Sequence, residues 1–500
     1  MKRDVNALDV LNWGKRAYAL FVVCAATATT LPAQTFTTLD TFDGANGSGP
    51  EWPLVQATNG DLYGTTYAGG ANGLGTVFQI TPGGTLTSLY SFCSQPNCAD
   101  GAHPSSGLVL AANGELYGVT SGGGGNGGGA IFRITQSGAL TVVYSFCSIG
   151  PGTCMDGSYP YGGLVQDANG DWYGATSYGG TTDQGTVFKY TPSGTLTTIY
   201  NFNGTDGYFP SGPLVQATNG YFYGATQFGG TEANCPYSNG CGTVFKMTPA
   251  GTLTTLYSFC SASGCPDGDS PVGALVQAAN GDLYGATFGG GTNCSPTGCG
   301  TIFKITPGGA LTTQYSFCAQ PSCADGATPD GGLVQAPENG DLYGAAYFGG
   351  QGCGANGCGT LFKITQSGAL TTLFRAFCPQ SDCPNRPTSL IQDTTGVFFG
   401  TTLWDGGDGS NGTIFSFAVG LGPFVEILPA SGEAGAAVKI LGSDLTGATS
   451  VSFNGTAAVF EVVSSSLIAT KLPAGATTGK VEVVTPGGTL ASDLPFRVLP

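Results

Sequence analysis

Apolar and polar residues alternate along most of this chain in short runs rich in β-branched and aromatic side chains, each run bounded by Gly, Asn or Pro. A period of two predicts half-buried strands, and the punctuating residues predict tight turns between them. The clearest stretch is Leu275 to Phe317, where LVQA, DLYGAT, GTIFKI and ALTTQYSF read as four consecutive strands. The first two are joined by Asn-Gly, here Asn280-Gly281 and elsewhere Asn59-Gly60, Asn113-Gly114, Asn169-Gly170, Asn219-Gly220 and Asn339-Gly340. Both residues tolerate positive φ, so a primed hairpin turn is expected. The last two strands are joined by Pro-x-Gly or Gln-Ser-Gly, as at Pro82-Gly83-Gly84 and Gln136-Ser137-Gly138, which is also turn chemistry.

The unit recurs. Its Tyr-Gly pair stands at Tyr63, Tyr117, Tyr173, Tyr223, Tyr284 and Tyr343, with Phe399-Gly400 as a seventh, degenerate copy. Four antiparallel strands per unit at this period predict an all-β fold, a seven-bladed β-propeller. Thr35 to Phe42 resembles the fourth strand of a unit with nothing before it, whereas the seventh unit lacks its fourth strand after Val419. The two defects are complementary, so the N-terminal strand is expected to complete the last blade and close the ring, removing exposed sheet edges. From Gly422 the composition changes to about seven short alternating strands without Cys or Trp, which predicts an immunoglobulin-like sandwich lacking the antibody disulfide. The expected domains are 34–419 and 422–500, whose last residues read as a final strand.

Residues 1–33 read as an export signal. Lys2, Arg3, Lys15 and Arg16 precede an apolar run from Ala17 to Ala26, and Leu31-Pro32-Ala33 precedes Gln34 as a small-residue cleavage site. Cys24 lies inside that run with poor lipoprotein flanks and is expected to leave with it. The run is too short for a membrane span, so the mature chain is expected to be secreted or at the cell surface without one. The full chain carries a net charge of −16, and removing residues 1–33 makes it two charges more acidic. Nucleic acid is therefore excluded as a partner.

Cysteine usage agrees with export. Apart from Cys24, every Cys has a near neighbour: Cys93/Cys98, Cys147/Cys154, Cys235/Cys241, Cys260/Cys265, Cys294/Cys299, Cys318/Cys323, Cys353/Cys358 and Cys378/Cys383. An even set in an exported chain predicts disulfides. Zinc would need two pairs to converge for each ion, because His103 is the single histidine. Each staple closes a short loop and restricts the unfolded chain by about 2 kcal/mol in the entropic account. The pairs occur where a connection is long, either between strands two and three or between units. In a four-stranded meander both connections lie at one end, so disulfides and length variation share one face, the expected functional face.

The same face carries Asp-Gly pairs at Asp43, Asp100, Asp156, Asp206, Asp267 and Asp325, replaced by Asn385-Arg386 in the seventh unit. Asx turns holding the connections are the expected role, ahead of calcium or acid catalysis. Asp405, Asp408 and Asn411 have calcium-loop composition with the wrong spacing. No cofactor is expected, calcium being the one candidate. Lys189, Lys246, Lys304, Lys363 and Arg133 share one position after the third strand, where long stems covering apolar surface are expected rather than an anion site. The tyrosines of the Tyr-Gly pairs are expected in the core.

Catalysis has little support. A Ser-His-Asp or Cys-His system would have to use His103, beside Pro104 in an ordinary repeat position. Two-carboxylate glycoside chemistry should use acids that break the repeat. Glu51, Glu115, Glu232 and Glu338 do so, but sequence alone brings no two together, and no catalytic, cofactor-binding or metal residue is assigned.

The repeat x-LVQA-x-NG-x-LYG-x-T-x-x-GG, followed by GTVF-x-IT-x-x-G-x-LT-x-LYSF, resembles the GloVer tandem repeat of exported bacterial choice-of-anchor proteins, over about Thr35 to Phe417. The tail resembles an IPT/TIG domain, through Ile427-Leu428-Pro429, Gly432, Val438 to Gly442, Val451 to Gly455 and Val481 to Gly488. The resemblance implies an exported bacterial protein and brings no activity with it; IPT/TIG domains are in general binding or spacer modules. The expected function is non-catalytic binding of a glycan or cell-surface partner through the disulfide-bearing face. The alternatives are an extracellular polysaccharide-degrading hydrolase or lyase with repeat-breaking charges at the central channel, and a structural envelope component. Oligomeric state is left open by the sequence.

Overall fold

A computed structural model describes residues 34–499 except 150–151, 232–233, 295–297, 351–356, 376–384 and 405–410. The export segment, Glu232, Asp405, Asp408 and both members of the Cys378/Cys383 pair lie outside the described residues. The fold is all-β, with only two short 3-10 turns among the described residues, Pro96–Cys98 and Pro321–Cys323. Between Thr35 and Ala418 the described strands form seven antiparallel sheets, one per repeat. Each follows the order expected from sequence, strand one to strand four in a meander. The first strand reaches further back than its LVQA core: in the fifth repeat it runs Asp269–Gln277 with a register shift between Val272 and Val276.

The N-terminal strand Thr35–Thr41 pairs antiparallel with Thr413–Ala418, the last repeat strand, from Thr35 opposite Ala418 to Thr41 opposite Thr413. It therefore supplies the missing fourth strand of the sheet holding Asn385–Gln392 and Phe398–Trp404.

Each sheet is built on one close contact. The glycine of the Tyr-Gly pair faces a phenylalanine of strand three and a leucine of strand one. A methyl group on Gly64, Gly118, Gly174, Gly224, Gly285, Gly344 or Gly400 would lie 2.5–2.7 Å from a Phe ring carbon. The ring takes the volume a side chain would need. Across the sheet, hydroxyl pairs such as Thr66–Thr76 and Thr176–Thr186, both 2.8 Å, satisfy polar groups that are buried.

Neighbouring sheets are joined by the phenylalanine that closes each strand four. Phe42, Phe92, Phe146, Phe202, Phe259 and Phe317 each meet the strand-three phenylalanine of the next sheet edge-on, centroids 5.1–5.4 Å apart. Edge-to-face pairs contribute roughly 0.5–1.5 kcal/mol beyond area burial. Phe42 belongs to the N-terminal strand, so its contact with Phe78 ties the last sheet to the first. One apolar cluster accordingly combines Phe42, Phe399 and Ile414 with Leu54, Leu62 and Phe78. Six further clusters each straddle two consecutive sheets.

Beyond Val425 two four-stranded sheets share a single core that includes Val438, Ile440, Ile468, Val451, Phe453 and Val481. This part rests on the Asn-Gly turns of the repeats. Ser466 Oγ donates to the Thr58 carbonyl at 2.9 Å, and Phe424 N to that of Thr394 at 3.1 Å. Leu441 packs into the cluster between the first and second repeat sheets.

Deleting residues 34–42 removes both a strand and the Phe42 link, and exposes the edge of Thr413–Ala418. We expect the thermal midpoint to fall by roughly 10 °C or more and the protein to self-associate, as read by calorimetry and size-exclusion chromatography.

Candidate functional site

Four of the Asp-Gly carboxylates, Asp100, Asp156, Asp267 and Asp325, are buried and bound by their own loops, whereas Asp206 is half-buried and Asp43 exposed. Asp100 Oδ2 accepts from the Tyr90 hydroxyl at 2.7 Å, from Ser94 N at 2.9 Å and from Ser94 Oγ at 2.8 Å, while Oδ1 accepts from Gln95 N at 3.2 Å. Asp156 and Asp325 repeat the pattern with Tyr144 and Tyr315. Burial pushes the Asp100 carboxyl up, but these donors outweigh it and hold it below the usual carboxylate range. The loops are tied by a tyrosine-to-carboxylate bond, not only by an Asx turn. Asp43 is out of register with this series. Asn46 stands before Gly47 at the place Asp206 holds before Gly207, since both glycines pack on the second-strand threonine, Thr66 or Thr226. Asp43 instead exchanges hydrogen bonds with Asn46. The Asp-x-x-Asn spacing of the first unit, against Asn-x-x-Asp in the fourth, was the available signal.

Six cysteine pairs are disulfide-bonded: Cys93–Cys98, Cys147–Cys154, Cys235–Cys241, Cys260–Cys265, Cys294–Cys299 and Cys318–Cys323. Cys358 is fully buried beside the third strand of the sixth repeat and is also disulfide-bonded. Cys353, the partner expected for it from the sequence, lies outside the described residues, as do Cys378 and Cys383. Pairs from a loop and the following connection do meet: the sulfur atoms of Cys294, Cys299, Cys318 and Cys323 lie within 4.8 Å of one another. All four are already in disulfides.

The repeated cations sit at the opposite end of the strands, where acids meet them. Arg133 pairs with Glu115 at 3.0 Å, Lys304 with Asp282 at 3.7 Å, Lys363 with Asp341 at 3.1 Å, and Lys189 with Asp171 at 2.5 Å. Lys246 has Tyr221 in place of the acid and lies over its ring, 5.7 Å from the centroid. These pairs oppose an anion site. The Tyr-Gly tyrosines Tyr63, Tyr173, Tyr223, Tyr284 and Tyr343 are core residues, and Tyr117 stacks on Trp172 at 4.3 Å. His103 stacks on Tyr67 at 4.6 Å, its Nδ1 lying 3.1 Å from the Tyr67 carbonyl oxygen.

One position went unnoticed in the sequence. The residue before the proline of each first strand has a left-handed backbone: Gly49, His103, Tyr159, Phe209, Ser270, Thr328 and Arg386, with φ between 53° and 67°. Side chains rarely adopt it, at a cost of about 1–3 kcal/mol. Carbonyls of the preceding unit fix the N–H, for example His103 N to Leu74 O at 2.8 Å and Thr328 N to Cys299 O at 2.7 Å; Arg386 N donates in the same way to Cys358 O at 2.9 Å. The signal was a fixed proline preceded by a residue of every chemical type. Two residues further on, in every repeat but the second, the chain enters the wall of a cavity.

That cavity, of about 430 Å³, lies where the first strands approach one another. Glycines permit the approach: a methyl group on Gly212 would fall 2.2 Å from the Gly273 carbonyl oxygen, and one on Gly331 would meet that of Thr388. Its lining includes Glu51, Trp52, Tyr161, Asp330 and Ser389 from first strands or the segments that lead into them. Gln227, Phe288 and Tyr347 come from the ends of second strands remote from the Asn-Gly turns. The cavity thus adjoins the disulfide-bearing face.

Glu51 and Asp330, from the first and sixth repeats, are brought together here, which sequence reasoning did not foresee. Burial, then the charge of Asp330, pushes the Glu51 carboxyl up to about 7, and burial raises Asp330 as well. Tyr161 is also raised, by burial first and then by both acids. Glu115 and Glu338 lie elsewhere, Glu338 against Gly422.

From the cavity an unbroken band of rings runs outward. Trp52 meets Tyr161 edge-on at 4.9 Å, Tyr161 lies 5.9 Å from Phe209, and Phe209 contacts Tyr178 at 5.5 Å and Phe228 at 6.1 Å. Tyr159, at 51 % exposure, extends the band through Tyr178 at 5.7 Å.

Seven sheets on one Phe–Gly contact are the product of a repeat that is itself a known one: the model of the Gloeobacter/Verrucomicrobia repeat matches residues 26–155, 152–351 and 237–458. The chain belongs to the Gloeobacter/Verrucomicrobia repeat family. Residues 424–498 match the IPT/TIG domain. No curated protein matches. Among solved structures, one similar chain is the extracellular domain of a hybrid two-component system from B. thetaiotaomicron, at 12 % identity and TM-score 0.49; it covers 94 % of this chain, which spans 59 % of its length. An auxiliary nutrient binding protein from Bacteroides thetaiotaomicron aligns at 13 % identity and TM-score 0.42, covering 77 % of this chain and 76 % of its own. A gluconolactonase from Xanthomonas campestris aligns at 14 % and 0.37, covering 64 % and 87 %. In this Gloeobacter/Verrucomicrobia repeat protein no described helix is long and apolar enough to cross a membrane.

The acids of the loops and of the cavity should affect stability in opposite ways. Asp325→Ala removes the acceptor for Tyr315, Ala319 and Gln320 and should cost about 1–3 kcal/mol, read by chemical denaturation. For Glu51 the folded pKa lies above the unfolded value, so its contribution is fully present below about pH 4.5 and is lost as pH rises through about 7. Thermal midpoints of the wild type should therefore fall across that window, and Glu51→Gln should flatten the fall; an unchanged slope refutes the assignment.

Proposed function

We propose that this chain is an exported, non-catalytic binding protein that recognises a glycan at the disulfide-bearing face. In this reading residues 1–33 are the export signal, and 34–419 form a closed seven-bladed propeller stapled by all eight cysteine pairs. Residues 422–500 form an immunoglobulin-like sandwich. The observation that carries the reading is the band from Trp52 through Tyr161, Phe209, Tyr178 and Phe228 to Tyr159. The band is half-buried along its length and opens to solvent at Tyr159; contiguous aromatics at a surface mark an interaction site, and rings with a polar tip suit ligands that alternate apolar faces with hydroxyls. The face bearing the Asn-Gly turns is engaged by the C-terminal part through Ser466, Phe424 and Leu441, which leaves the loop face for a ligand.

A second reading has one specific observation in its favour. Glu51 and Asp330 are repeat-breaking acids that share a cavity, and an acid held near 7 is suited to general acid catalysis of glycoside cleavage.

One experiment separates the two. Residues 34–500 are incubated with cell-wall and plant polysaccharides, with and without calcium, and both retention and released sugars are read. Retention without release is expected, and Phe209→Ala should weaken it roughly fivefold to tenfold. Release abolished by Glu51→Gln would establish the enzyme instead, and absence of both signals would refute glycan recognition.

A further inference from the structure

The cavity holds two carboxylates without a counter-charge. Among the described residues, no hydrogen bond or ion pair reaches Glu51 or Asp330, and each is opposed by burial. The nearby Arg386 is turned to a different group: it lies over the Tyr347 and Phe348 rings, 5.2 and 5.4 Å from their centroids, and donates to the Tyr347 hydroxyl at 3.3 Å. Two like charges in one partly desolvated space cost free energy, and an incoming cation offsets that cost.

The remaining wall specifies what kind of cation. Trp52, Tyr161, Phe288 and Tyr347 present rings to the cavity, and rings attract an ammonium through their faces. A hard metal ion needs about six or more oxygen ligands, which a wall rich in aromatic carbon does not offer. The volume of about 430 Å³ is within the range of small-molecule sites.

We propose that the cavity takes a protonated amino-sugar unit of an oligosaccharide, its ammonium held between Glu51 and Asp330 and its ring lying against the aromatic wall. This deepens the glycan-binding reading and rests on it. A sugar is favoured over a lysine side chain because the aromatic band continues outward from Trp52 and Tyr161, giving neighbouring units of a polymer a surface to lie on.

The test is calorimetric titration of residues 34–500 at pH 7, where Glu51 is about half ionised, with a glucosamine tetramer and with the N-acetylated tetramer of the same length. The free amine should bind at least tenfold tighter. The double variant Glu51→Gln/Asp330→Asn should lose at least tenfold for the amine form and nothing for the acetylated one. Its thermal midpoint at pH 7 should be no lower than wild type, since it removes a repulsion. Phe288→Ala, which leaves both charges in place and removes a ring of the cavity wall, serves as an independent probe and should weaken the amine form severalfold. Equal affinities for the two tetramers, or an unaffected double variant, would overturn the inference while glycan binding stands. A lysine peptide bound as tightly as the amine tetramer would overturn the sugar assignment. If neither tetramer binds while neutral polysaccharides are retained, the inference alone fails; if no polymer is retained, the reading beneath it fails as well.

Discussion

A phenyl ring lying against a glycine is the contact on which the rest of this protein depends. In every repeat the strand-three phenylalanine occupies the space above the glycine of the Tyr-Gly pair, with a strand-one leucine beside it. This locks three strands into one register, because a slip of one residue would bring a side chain where only a hydrogen fits. In the first six repeats the same ring receives the edge of the phenylalanine that ends the preceding fourth strand. Local strand pairing and sheet-to-sheet packing therefore share one residue per repeat, and the seven sheets are rigidly spaced.

That rigidity explains the division of labour between the two ends of the strands. At one end the tight Asn-Gly turns and the acid–base pairs such as Arg133–Glu115 form a uniform surface, on which the IPT/TIG part rests. At the other, connections differ in length, and their freedom is restricted by disulfides and by buried carboxylates such as Asp100 and Asp156. The left-handed residues from Gly49 to Arg386 sit between scaffold and loops. Their backbone is fixed from the neighbouring unit, so the side chain can vary without disturbing the fold.

The cavity inherits its character from departures from the repeat. Glycine or serine stands at several first-strand positions around it, while the first, third and sixth repeats place Glu51-Trp52, Tyr161 and Asp330. Substitutions there alter neither the strand register nor the Phe–Gly contact. The interior can therefore acquire charge and aromatic surface while the packing between sheets stays the same.

The sequence by itself determined the repeat, its hairpins, the pairing of the N-terminal strand with the last unit and the separate C-terminal part. Each of these is written in local chemistry: alternation with period two, turn residues that accept positive φ, and strand motifs that recur whole. It also pointed to the face that bears the disulfides, because loop length is visible in a sequence. Tertiary structure alone decided that Glu51 and Asp330 share a cavity and that Trp52 touches Tyr161. The physical reason is that contacts across the middle of the molecule depend on how seven sheets are arranged around it, and no local spacing records that arrangement. A single acid in one repeat reads as a surface residue until the fold brings a second one opposite it.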